Sequence, residues 1–187
     1  FSASASGVQV ELSTGALVDG EGFADQVNSI EFVIGSAFAD TLVGSDGNDA
    51  LIGGSGADTL VGGDGADTLT GNVGDDTLLG GSGSDTLIGG GGADVVDGGQ
   101  DDDLLELDGS SARVTAEGGD GTDTVVLVGE TNEASLSGVE VITGSAGDDS
   151  VTVSTNDIQA ISGGEGFDDV TLTDASGNTV DLAGVEV

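Results

Sequence analysis

The sequence predicts an all-β solenoid, and three features predict it. A nine-residue unit repeats from Gly35 to Glu106 without a slip in register, beginning at Gly35, Gly44, Gly53, Gly62, Gly71, Gly80, Gly89 and Gly98. The eighth residue of every unit is aliphatic: Leu42, Leu51, Leu60, Leu69, Leu78, Leu87, Val96 and Leu105. The sixth is always Asp: Asp40, Asp49, Asp58, Asp67, Asp76, Asp85, Asp94 and Asp103. Glycine holds the fourth place except at Phe38 and Asp101.

Each element of the unit has a local cause. The residues after Asp, such as Thr59-Leu60-Val61 and Thr86-Leu87-Ile88, are β-formers of strand length. Two-residue alternation points the middle one inward and its neighbours outward. The glycines open backbone angles closed to other residues, so the chain turns tightly between strands. One unit is then a turn plus a short strand, and two units make a coil with a turn on each side. Stacked coils bury the aliphatic row as a thin core. They also sort the acids into two columns: Asp40, Asp58, Asp76 and Asp94 in one, Asp49, Asp67, Asp85 and Asp103 in the other.

Three segments follow. Residues 1–34 read as lead strands and a cap, 35–106 as the regular roll, and 107–187 as an irregular solenoid. In the last segment the turn motif returns at Gly118, Gly144 and Gly163, in steps of 20, 26 and 19 residues counted from Gly98. Taken as one coil each, these steps extend the second column to Asp123, Asp149 and Asp168, with longer polar turns opposite, near Gly109, Asn132, Asn156 and Gly177. Phe23, Phe32, Phe38 and Phe167 read as core or cap residues. Arg113 reads as half of a surface ion pair, and Asp148 and Asp169 as solvated charges.

Composition narrows the function. The 187 residues carry a formal net charge of −35, from 36 acidic residues and one basic residue. A chain this one-sided stays expanded unless counter-ions neutralise it, yet 36% of its residues are hydrophobic. Both facts agree if folding waits for a cation. There is no Lys/Arg patch to meet phosphates or an anionic membrane. Without His, Cys or Lys, the usual general bases and nucleophiles are missing, and no enzymatic role is expected. Carboxylates and turn carbonyls form a hard-ligand set. Calcium takes six to eight such oxygens in irregular geometry, whereas zinc and copper favour nitrogen and sulfur.

The unit Gly53-Gly54-Ser55-Gly56-Ala57-Asp58-Thr59-Leu60-Val61 resembles the RTX, or hemolysin-type, calcium-binding nonapeptide. So does Gly80-Gly81-Ser82-Gly83-Ser84-Asp85-Thr86-Leu87-Ile88. The resemblance implies a right-handed parallel β-roll with calcium between stacked turns. The ligands it implies are the carboxylates of the Asp residues in both columns, Asp123, Asp149 and Asp168 included, and backbone carbonyls at Gly54, Gly56, Gly63, Gly65, Gly81, Gly83, Gly90 and Gly92. About six ions then fit residues 35–106, with more possible in 107–187. It further implies type I secretion and calcium-triggered folding outside the cell. The expected role is an extracellular structural segment of an adhesin, surface layer or matrix filament; the alternative is the export-and-folding module of a secreted enzyme or toxin. Ile30–Ala37 resembles Val139–Ala146, and Leu182–Val187 resembles Leu136–Val141, so head-to-tail stacking of copies into a filament is a further expectation.

Overall fold

The computed structural model describes residues 4–109, 112–130, 132–154, 158–166, 168–173 and 182–183. The chain is all-β and, among these residues, has no helix. It opens with β1 (Gln9–Glu11), β2 (Ala16–Val18), β3 (Ala24–Gln26), β4 (Phe32–Ile34) and β5 (Thr41–Val43). The regular repeats form β6 (Ala50–Ser55), β7 (Thr59–Asp64), β8 (Thr68–Val73), β9 (Thr77–Ser82), β10 (Thr86–Gly91) and β11 (Val95–Gln100). Beyond them come β12 (Leu104–Asp108), β13 (Val114–Asp120), β14 (Thr124–Leu127), β15 (Glu133–Ser137), β16 (Val141–Thr143), β17 (Ser150–Ser154), β18 (Ala160–Ser162), β19 (Asp169–Leu172) and β20 (Leu182–Ala183).

From β3 onward, successive strands alternate between two sheets. One runs β19-β17-β15-β13-β11-β9-β7-β5-β1-β2-β3, the other β20-β18-β16-β14-β12-β10-β8-β6-β4. Within each stack the pairing is parallel, and in the regular half it joins residues 18 apart: Leu60 with Leu78, Leu69 with Leu87. The coils are therefore in register, as the nonapeptide demands. At the amino-terminal end β1 pairs parallel with β5, while β2 and β3 add antiparallel strands at the edge. Among the described residues no helix is long and apolar enough to cross a membrane.

The regular strands are longer than the three residues expected. Each of β6 to β11 has six residues, because parallel pairing continues through the first glycines, as in Gly54 with Asn72 and Gly63 with Gly81. The core is one residue wide: Leu42, Leu51, Leu60, Leu69, Leu78 and Leu87 are all fully buried. In the second half it doubles, with Leu105 and Leu107 buried on β12, Val114 and Ala116 on β13, and Val125 and Leu127 on β14.

Of the four phenylalanines expected in the core or a cap, three are not core residues. Phe23, Phe32 and Phe38 are 68%, 57% and 44% exposed. The inward place on β4 belongs to Val33, so alternation turns Phe32 outward. Phe167 and the polar turns placed near Asn156 and Gly177 lie outside the described residues. Arg113 meets Glu133 at 3.6 Å with both side chains more than half exposed, a solvent-screened pair that contributes little.

Candidate metal centre

Every turn-ending Asp is buried, and the columns are tied together rung by rung. The Asp40 N–H donates to Asp58 Oδ1 at 2.8 Å, Asp58 to Asp76 at 2.8 Å, and Asp76 to Asp94 at 2.9 Å. In the other column Asp49 donates to Asp67 at 2.7 Å, Asp67 to Asp85 at 2.7 Å, Asp85 to Asp103 at 2.8 Å, and Asp103 to Asp123 at 2.9 Å. Each carboxylate from Asp58 to Asp123 in these columns thus accepts one backbone bond from the coil before it.

The second oxygen is the telling one. Oδ2 of Asp58, Asp67, Asp76, Asp85, Asp94, Asp103, Asp123 and Asp168, and Oδ1 of Asp49, are buried and accept no hydrogen bond from the protein. A buried carboxylate left half-satisfied is costly. Burial raises the carboxyls of Asp58 and Asp85 to about 6 and that of Asp103 to about 7, with the neighbouring carboxylates adding to the rise against a backbone hydrogen bond that lowers it. Asp67, Asp76, Asp94 and Asp123 are raised for the same leading reason.

Backbone carbonyls stand beside these oxygens. A Cβ on Gly62 would lie 2.3 Å from Asp67 Oδ2 and 2.6 Å from the Gly80 carbonyl oxygen. One on Gly80 would lie 2.4 Å from both Asp85 Oδ2 and the Gly98 oxygen. The first glycine is therefore required, since carboxylate and carbonyl fill the space of its missing side chain. The second and fourth glycines expected as carbonyl donors, Gly54, Gly56, Gly63, Gly65, Gly81, Gly83, Gly90 and Gly92, all have φ between 98° and 149°. The carbonyls of first-position glycines, which border the same Cβ space as the bare oxygens, are not among those expected.

No group of three or more His, Cys, Asp or Glu side chains converges among the described residues. A cation here must complete its shell with carbonyl oxygens, which suits a hard ion of high coordination number. The site residues fit calcium: buried bare carboxylate oxygen, adjacent carbonyl oxygen, and like charge that a divalent ion cancels.

The second half corrects one expectation. Asp123 does extend the second column, but Asp149 and Asp168 belong to the first: they precede β17 and β19, and the Asp149 N–H donates to Asp168 Oδ1 at 3.1 Å. The 26-residue step holds a coil of 17 residues, from Asp123 to Glu140, and then a further half coil of nine. The register therefore changes sides.

Two residues that sequence reasoning missed take Asp places. Glu140, 7% exposed, accepts the Asp123 N–H at 2.7 Å. Asn132, fully buried, accepts the Gly109 N–H at 2.8 Å, and its own N–H donates to Asp149 Oδ1 at 2.9 Å. Each lies 17 residues from its column neighbour, the one signal that points to them.

Fold and site together define a calcium-binding parallel β-roll, in which ions are held by turns rather than by a cluster of side chains. Residues 34–69, 70–105 and 136–154 match the model of the RTX calcium-binding nonapeptide repeat, described as a unit of four copies. No curated protein matches the chain at a significant level.

Proposed function

We propose that this chain is an extracellular structural module that is secreted unfolded and folds when calcium reaches it. The observation that carries this reading is the row of nine buried, partnerless carboxylate oxygens. Asp49, Asp58, Asp67, Asp76, Asp85, Asp94, Asp103, Asp123 and Asp168 would hold the ions with neighbouring turn carbonyls; calcium supplies the positive charge and the missing coordination there. Extracellular modules of this ligand type bind with dissociation constants of about 10⁻⁴–10⁻³ M, so cytosolic calcium leaves the chain unfolded and external calcium folds it. Circular dichroism should show a disordered chain in EDTA and β-structure in millimolar calcium. Equal β-content in both would refute the reading.

Copies of the chain associate end to end as part of this role. The amino-terminal end supports it: among the described residues β4 is the last strand of its sheet, next to β6. Beside it lies an apolar recess of about 330 Å³ lined by Val10, Leu12, Leu17, Val27, Phe32 and Val33 among others. A strand at the end of its sheet next to apolar surface is a template for another strand.

A further inference from the structure

Among the described residues, the eleven turns that end in a buried Asp fall into two classes by their second residue. In eight it is glycine or, once, Asn72, with φ between 77° and 123°. Each of these eight turns leaves Oδ2 of its own Asp bare.

In the other three the second residue is Ser36, Ser45 or Ser145, and none has positive φ. There the serine N–H donates to Oδ2 of its own Asp: Ser36 to Asp40, Ser45 to Asp49 at 2.7 Å, and Ser145 to Asp149 at 2.8 Å. The hydroxyl donates as well, Ser36 Oγ to Asp40 Oδ1 at 2.8 Å and Ser45 Oγ to Asp49 Oδ2 at 2.9 Å. Ser145 Oγ lies 3.1 Å from Asp149 Oδ1 and 3.2 Å from Oδ2. Asp40 Oδ1 takes the Val8 N–H at 2.6 Å, and Asp149 Oδ1 takes the Asn132 N–H and side-chain amide, both at 2.9 Å. Neither carboxylate has an oxygen left over. Asp49, first of its column, has no Asp amide from an earlier rung and keeps a bare Oδ1.

We propose that the second residue of each turn decides whether Oδ2 of its Asp is left for a cation: glycine or asparagine leaves it bare for calcium, and serine fills it with hydrogen bonds, which replace the ion where Oδ1 is also taken, as at Asp40 and Asp149. The inference rests on the calcium reading above. Its physical basis is the backbone. Positive φ is open to glycine and tolerated by asparagine, and in those turns no N–H reaches Oδ2. Serine keeps an ordinary φ and swings its N–H onto the carboxylate. Charge-assisted bonds from N–H and O–H then do for Asp40 and Asp149 what a cation does for Asp85. The rungs at Asp40 and Asp149 therefore close without calcium, while Asp49, with its bare Oδ1, and the glycine and asparagine turns wait for it.

Equilibrium dialysis of the full chain at saturating calcium tests this through the number of ions bound by wild type, D85N and D149N. D85N should lose at least one ion, and D149N should keep the wild-type count. Loss from D149N equal to that from D85N would overturn the proposal. Should D149N not fold in calcium, S145G takes its place: one additional ion per chain is expected, and an unchanged count overturns the proposal. A wild-type chain that binds no calcium instead overturns the calcium reading on which this inference stands.

Discussion

At the scale of single residues, the first glycine and the sixth aspartate of each turn form one device. Gly98 goes with Asp103 and Gly118 with Asp123; where Leu107 or Leu127 takes the first place, the sixth is Ala112 or Asn132. The cause is space, since the carboxylate lies where a Cβ would be. The sequence showed the pairing as a period but not its reason, which needs the next coil's carbonyl. The same crowding sets the response to pH. Asp58, Asp85 and Asp103 have folded values of about 6, 6 and 7 against 3.8 for an ordinary Asp. With folded values raised, the calcium-free fold binds more protons than the unfolded chain between those limits. The stability they contribute is complete below 3.8 and is lost as pH rises through 6 to 7. Circular dichroism in EDTA should therefore show β-structure growing as pH falls from about 7 to about 4, and the calcium midpoint should rise over the same range because protons compete for the carboxylates. A β-signal that instead grows with rising pH in EDTA would contradict the burial of these groups.

At the scale of the strand, alternation decides which residues matter. Leu78 is fully buried between coils, with Leu60 on one side of it in the stack and Val96 on the other. Truncating such a residue removes contacts in both directions along the stack. Leu78→Ala should cost about 2–5 kcal/mol in the calcium-loaded chain, whereas Thr77→Ala, on the outward side, should cost under about 1 kcal/mol. Urea midpoints of the two variants would check this, and similar losses would contradict the inward assignment. The inward Leu row was legible because its period is strict. The six-residue strands were not, because glycines look like turn residues until their pairing partners 18 residues away are known. The change of column at Asp149 was hidden for a like reason: a 26-residue step does not reveal that it contains three half coils when one of them ends in Glu140 rather than Asp.

At the scale of the whole molecule, the excess of negative charge and the open end at β4 act in opposite directions. Repulsion keeps chains apart without calcium; neutralised rungs permit the strand edge and the recess beside it to be covered. Sedimentation velocity in calcium should give a mass above the 17.9 kDa of one chain as concentration rises, and Phe32→Asp should reduce the effect. Monomer at every concentration would remove end-to-end association from the role proposed here. The 18-residue coil has a mechanical consequence as well. A coil adds about 4.8 Å to the length of the stack, but the same residues pulled straight span roughly 60 Å. Under tension each released coil would lengthen the molecule about twelvefold locally, and any ion held between coils would resist that release. A tether made of such rungs gives way in small steps and rewinds when the load is removed.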